Sequence, residues 1–274
     1  MTNLRRPLKS LGQNFLMDQN VIGKIIQSAV LQPGDQVLEI GPGRGALTER
    51  LVRQVERLLL VEYDHALAAS LTESFTDNPQ VTVVDGDILA VDLAALLNQS
   101  AGKWKVIANL PYNISTQVLF RLEEVRSRLS RMVLMLQKEV GDRLVAQPDC
   151  SDYGITTVLL GLHFDIRREF IVPPGCFHPR PKVDSAVLSF IPLAAPRVEV
   201  GNEQIFRRVV KGSFAMRRKT LSNCLKSAEL SAEGGIEALL EECGIDGRRR
   251  GETLSLDEFA LISRRLTHMR DSVD

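Results

Sequence analysis

Five short, almost uninterrupted apolar runs constrain this chain more than any other feature: QVLEI (36–40), RLLLVEYD (57–64), VTVVDGD (81–87), WKVIANLP (104–111) and RMVLMLQ (131–137). Runs of this length without polar alternation read as strands buried on both faces, the pattern of a parallel sheet. Helical segments flank them: VIGKIIQSAVL (21–31) before the first, GPGRGALTERLVRQ (41–54) after it, HALAASLTESF (65–75) after the second and LAALLNQ (93–99) after the third. Such alternation buries its apolar faces as a mainly parallel sheet covered on both sides, so the expected class is α/β, Rossmann-like.

Downstream the pattern changes. A helix-like run after Tyr153-Gly154 leads to FDIRREFIV (164–172), a proline-rich loop PPGCFHPRPK (173–182) and SAVLSFIP (185–192). No helix separates these last two runs, so they should form an antiparallel hairpin at the sheet edge. PLAAPRVEVG marks a change of composition, and beyond it NEQIFRRVVKGSFA, RRKTLSNCLKSA, IEALLEECG and SLDEFALISRRL all have helical periodicity. Ser255 and Glu258 fit a capping box. Two domains are expected, 1–196 and a small all-helical one at 197–274.

Composition excludes several function classes. No apolar run approaches the roughly 20 residues needed to cross a bilayer, and the N-terminus lacks the apolar core of a signal peptide, so a cytoplasmic location is expected, with no membrane partner. The four cysteines and four histidines are scattered, so neither a disulfide framework nor a metal site is expected. Net charge is zero, but Gln204 to Ala228 holds Arg207, Arg208, Lys211, Arg217, Arg218, Lys219 and Lys226 with no acidic residue. A solvated helix face usually mixes signs; a block of one sign is the footprint of a polyanion.

VLEIGPGRGALTERL is a strand, a glycine turn and a helix. Gly41, Gly43 and Ala46 satisfy the dinucleotide pattern G-x-G-x-x-A, which needs a helix N-terminus aimed at a pyrophosphate. S-adenosylmethionine needs only close backbone approach, and Glu39 beside the turn can favour its ammonium and sulfonium charges. Glu62, 17 residues after Gly45, ends the second strand, where its carboxylate can accept from both ribose hydroxyls of either cofactor. Asp87 ends the third, suited to an adenine amino group with Ile88 lining the ring; a turn-forming role is the competing reading. All of this falls at one carboxyl edge of the sheet, where open α/β sheets bind ligands.

Asn109-Leu110-Pro111-Tyr112 ends the fourth strand at the same crevice. The sequence also suits an ordinary turn with a packed tyrosine. It suits equally a clamp for a planar amine. The Asn109 amide oxygen and the Leu110 carbonyl can each accept an N–H of an exocyclic amine, turning its lone pair toward a methyl donor. Pro111 stiffens the turn, and Tyr112 offers a stacking face worth about 1–3 kcal/mol.

GQNFL (12–16), EIGPGRGALT, VEYD, DGDIL, NLPYNIST, LQKEV, FHPRPKVDSAV and SFAMRRKTLSN, in this order, resemble the ribosomal RNA adenine dimethyltransferases over nearly the whole chain. The pattern is most similar to that of the bacterial small-subunit enzymes. The resemblance implies a class I methyltransferase sheet and S-adenosylmethionine as methyl donor. It implies as substrate two adjacent adenosines in the 3′-terminal hairpin of small-subunit rRNA, each dimethylated at N6, in rRNA or an immature subunit. By motif, Asn14 and Leu16 should cover the methionine end of the cofactor, with Gly41, Glu62, Asp87 and Asn109 completing its pocket. Phe177 should stack on the target base opposite Tyr112, although from the residues alone a buried loop anchor is the simpler reading. Arg217, Arg218 and Lys219 should meet rRNA phosphates, with Arg5, Arg6 and Lys9 adding a second contact. A monomer is expected. Competing readings are a large-subunit rRNA adenine methyltransferase of the antibiotic-resistance type, a transcription-factor relative that binds nucleic acid, and an NAD-dependent dehydrogenase, for which no hydride-transfer acid or base is in sight.

Overall fold

In the computed structural model, which describes residues 14–228, 230, 232 and 234–271, the chain forms two compact units. The first comprises the chain through Gly141 together with Asp165–Pro192. Its elements run β1 (Phe15–Leu16), α1 (Gln19–Ser28), β2 (Gln36–Ile40), α2 (Thr48–Leu51), β3 (Arg57–Glu62), α3 (His65–Ser74), β4 (Val81–Asp85), α4 (Leu93–Leu97), β5 (Trp104–Asn109), α5 (Ser115–Glu124) and β6 (Leu129–Gln137). The chain leaves this unit within α6 (Lys138–Leu144) and passes through α7 (Ile155–Gly161). It then re-enters as β7 (Phe164–Val172), β8 (Phe177–His178) and β9 (Ser185–Pro192).

Seven strands form one sheet in the order β4-β3-β2-β5-β6-β9-β7. The five runs first read as strands pair in parallel, and β9 joins β6 antiparallel, with Gln137 opposite Ser185. β7 takes the edge beside β9, where the sequence put a hairpin. Central strands are apolar because both faces are covered: Leu58, Leu60, Val106, Leu134 and Leu136 have no exposed surface. Strand order reverses between β2 and β5. The chain first steps outward through β3 and β4 and then returns, opening a crevice at the carboxyl ends of the strands.

Two local differences from the sequence reading concern this crevice. The segment 41–54 is mostly turn, and its helix is only Thr48–Leu51, because Gly41, Gly43 and Gly45 all adopt positive φ and extend the loop. β1 and β8 form a separate two-stranded ribbon, with Leu16 opposite Phe177.

The second unit comprises Asp142–Phe164 and the chain from Leu193 onward. Residues 142–164, expected in the first domain, therefore group with the helices α8 (Glu203–Ser213), α9 (Leu221–Ser227), α10 (Gly235–Glu242) and α11 (Leu256–Asp271). Packing, not chain order, decides this. Tyr153 packs on Phe214 and Phe214 on Phe259 at ring-centroid distances of 6.1 and 5.8 Å. The Asp149 N–H donates to the Glu252 carbonyl, and the N–H groups of Leu193 and Arg197 donate to the carbonyls of His163 and Leu162. α11 begins with the expected capping box: Ser255 N–H donates to Glu258 Oε2 (2.8 Å), and Glu258 N–H to Ser255 Oγ (3.2 Å).

Candidate functional site

At the carboxyl edge of the first unit lies a cavity of about 630 Å³. The ends of β2, β3, β4 and β5, together with β1, supply its walls. Gly41 and Gly43 form one wall with φ of 66° and 59°. A Cβ at Gly43 would lie 3.0 Å from the Phe15 ring, so the close approach requires glycine. The Arg44 guanidinium covers the same ring, 4.4 Å from its centroid, in a cation–π arrangement.

Glu62 is held rigidly. Its Oε2 accepts from Gly43 N–H (2.8 Å) and its Oε1 from Asp64 N–H (2.9 Å). Each carboxylate oxygen retains acceptor capacity for a ligand hydroxyl. Burial raises its pKa, and the two backbone donors oppose that shift. Glu39, 1% exposed, accepts from Thr48 Oγ1 at 2.7 Å. Burial pushes its pKa up to about 8, against the opposing Thr48 bond. Burial thus favours the neutral form of its carboxyl, and a cation nearby would favour the charged form suggested by the sequence.

Asp87 lines the cavity beside Gly86 and Ile88. Its Oδ1 accepts from Leu89 N–H at 2.9 Å, so the turn-forming role and the wall position coexist. Asn109 Nδ2 donates to the main-chain carbonyl of Asn14 at 3.0 Å. A carbonyl can only accept, which fixes the amide's orientation and keeps Oδ1 as the acceptor at its other end. Leu110 N–H donates to the Met135 carbonyl (3.1 Å), extending the β5–β6 pairing into the tetrapeptide. Ile114 N–H donates to the Pro111 carbonyl (3.2 Å), and Ser115 Oγ to that of Tyr112 (3.3 Å). The Tyr112 hydroxyl lies 2.8 Å from Ser185 Oγ.

The structure thus brings Asn14, Leu16, Gly41, Glu62, Asp87, Asn109, Leu110, Pro111 and Tyr112 to one cavity. Phe177 is not among its lining residues. Pairing of β8 with β1 buries it to 3% exposure in a core cluster that includes Leu16, Ile22, Val172 and Val187. Arg217, Arg218 and Lys219 belong to the second unit and are exposed, but they sit in a turn, not on a helix, because Thr220 caps α9 after them. Arg5, Arg6, Lys9, Gly12 and Gln13 lie outside the described residues. Sequence reading gave no role to Phe15, Thr48 or Ser185, whose partners lie far along the chain or depend on a short helical turn.

The chemistry of the cavity suits S-adenosylmethionine better than a dinucleotide. The Glu62 carboxylate would repel a pyrophosphate, and the cationic side chain that lines the cavity among the described residues, Arg44, lies over the Phe15 ring. α2 begins only at Thr48 and lacks a side-chain cap, so no helix end follows the glycines directly. Among the described residues no group of three histidine, cysteine or carboxylate side chains could hold a metal, and no helix is long and apolar enough to cross a membrane.

Residues 5–268 match the family model of ribosomal RNA adenine dimethylase. The chain is 59% identical to a ribosomal RNA small subunit methyltransferase A of Geobacter metallireducens, covering 94% of this chain and 95% of that protein. Among solved structures it is similar to a dimethyladenosine transferase of Plasmodium falciparum (TM-score 0.76, 23% identity, 90% of this chain and 95% of that one). It is similar also to the 23S rRNA methyltransferase ErmE (TM-score 0.69, 25% identity, 92% and 99%).

Proposed function

This chain belongs to the ribosomal RNA adenine dimethylase family, and from that premise we infer how its own residues carry out the reaction. It is an S-adenosylmethionine-dependent rRNA (adenine-N6,N6)-dimethyltransferase, acting on two adjacent adenosines in the 3′-terminal hairpin of small-subunit rRNA. When bound, S-adenosylmethionine supplies a methyl group on a positively charged sulfur. Gly41 gives the backbone clearance for it, Glu62 accepts from the ribose hydroxyls, Asp87 from the adenine amino group, and Asn14 and Leu16 cover the methionine end.

The observation that carries this reading is the Asn109 amide. With Nδ2 committed to the Asn14 carbonyl, Oδ1 accepts one N–H of the adenosine N6 amine, and the Leu110 carbonyl accepts the other. Those bonds rotate the nitrogen lone pair out of conjugation and toward the methyl. Pro111 keeps the turn stiff and removes a competing donor. Tyr112 stacks on the base, which must leave the hairpin stack to arrive. Bound there, the donor would supply the methyl to N6 and leave as the neutral thioether, and the proton of the cationic amine would go to water, so the site needs no strong base. Phe177, buried here, would need to leave the core to stack on the base's other face.

We place the enzyme in the cytoplasm, where immature small subunits form its substrate, and take the monomer as the acting form. The deciding experiment labels purified, unmodified small and large subunits with methyl-tritiated cofactor and maps the modified adenosines. Label in two adjacent dimethyladenosines of the small subunit is expected. Label confined to the large subunit would overturn the assignment.

Arg217, Arg218 and Lys219 are the proposed phosphate-binding residues of the helical unit. Replacing all three with alanine should raise the rRNA concentration needed for half-maximal activity and reduce the salt slope of binding by roughly 0.7–0.9 for each phosphate no longer neutralised. An unchanged slope would remove them from the RNA surface.

A further inference from the structure

The stacking role of Tyr112 leaves its hydroxyl unexplained. Stacking uses only the ring face, which phenylalanine would supply equally well. The hydroxyl instead reaches Ser185 Oγ at 2.8 Å, across 73 residues of sequence. Ser185 has no exposed surface and is the first residue of β9, opposite Gln137 at the end of β6. The frame around it is rigid: the neighbouring Lys138 N–H donates to the Asp184 carbonyl at 2.9 Å.

We propose that Ser185 is a positioning residue for methyl transfer, holding the Tyr112 phenol so that its ring presents a fixed face to the flipped adenine. The proposal rests on the reading of Tyr112 as the stacking platform. The terminal torsion of an aromatic side chain is broad, so nothing within Tyr112 sets the tilt of its ring. A hydrogen bond at the far end of the ring does. Two further bonds pin the same segment, Leu110 N–H to the Met135 carbonyl and Ser115 Oγ to the Tyr112 carbonyl. These fix the backbone at both ends of the tetrapeptide, and Ser185 fixes the side chain. Burial raises the pKa of the phenol, so it stays protonated, and either hydroxyl can donate in this bond. The loop that follows Phe177 ends at Ser185, so the anchor of one aromatic is continuous in sequence with the other.

The test compares Ser185→Ala, Tyr112→Phe and the double variant with the wild-type enzyme on small-subunit RNA. It also follows the fluorescence of RNA carrying 2-aminopurine at the target position, which is quenched by stacking. Each single variant should lower kcat roughly three- to tenfold, the scale of one neutral hydrogen bond. Each should weaken the quench and leave the KM for the cofactor unchanged, and the double variant should be no worse than either single. Tyr112→Phe breaks the bond from the cavity side without opening a hole beside β9, so the result does not depend on Ser185→Ala folding. Two hydroxyls that merely satisfied each other would alter stability alone. Wild-type kcat and quench in the single variants, or losses that multiply in the double variant, would overturn the proposal. Absence of quenching by the wild-type enzyme, or normal turnover of Tyr112→Ala, would overturn the stacking reading, and Ser185's role with it.

Discussion

Asn109→Ala should lower the single-turnover rate of methyl transfer by about 10²–10³-fold or more, while the cofactor Kd stays within about tenfold, or 1.4 kcal/mol. The asymmetry follows from what each end of the amide does. Oδ1 serves the reacting amine, so its removal costs orientation in the transition state, where taking away one oriented polar group has effects of this size. Nδ2 serves the Asn14 carbonyl at 3.0 Å, so its removal loosens only one wall of the cofactor cavity. Rapid-quench transfer assays give the first quantity and calorimetric titration with the cofactor the second. Near-normal transfer would sink the amine clamp. A cofactor affinity that collapsed alongside the rate would show that the Asn109–Asn14 link serves chiefly to assemble the cavity.

Gly251→Ala should be the most damaging single-methyl change in the helical unit. A Cβ built there runs into the Ser213 carbonyl oxygen and lies 2.9 Å from its carbon. Both are backbone atoms, and neither side can yield easily. Ser213 closes α8, with its own hydroxyl bonded to the Val209 carbonyl, and Gly251 opens a short 3-10 turn whose Leu254 N–H returns to its carbonyl. Overpacking of this kind costs about 3 kcal/mol, or roughly 6–12 °C in melting midpoint at 2–4 °C per kcal/mol. Gly23→Ala in α1 makes the control, since its added methyl meets nothing within 4 Å. It should stabilise by about 0.4–1 kcal/mol through the unfolded chain. Equal midpoints for the two variants would contradict the close approach at Gly251.

The parallel core was legible because its strands are buried on both faces and so carry no polar alternation to confuse with a helix; Leu58–Val61 and Met132–Leu136 are the clearest cases. Glu62, Asp87 and Asn109 were legible for a related reason. Each directly follows or ends such a run, and parallel strands bring all their carboxyl ends to one rim. What escaped depends on pairing between distant segments. The burial of Phe177 agrees with the loop anchor that the residues alone suggested, but the two-residue ribbon with Leu16 that buries it is announced by no local periodicity. Residues 142–164 join the helices through Tyr153 and a few backbone bonds spread along the chain. The turn at Arg217–Lys219 was readable in principle. Thr220 is a good N-cap, and its hydroxyl does accept from Asn223 N–H at 3.5 Å, but helical spacing on both sides of it masked the break.

The protonated carboxyl of Glu39 has a bearing on how one round of catalysis gives way to the next. A cationic donor seated beside Glu39 would favour its ionised form, so donor affinity should rise with pH toward about 8. Spent S-adenosylhomocysteine carries no charge on sulfur and holds the ionised form less strongly. As it departs the carboxyl takes a proton back. Calorimetric titration of donor and product across pH is the check: a donor affinity that rises toward about pH 8 with release of a proton, and a weaker rise for the product, is the expected result.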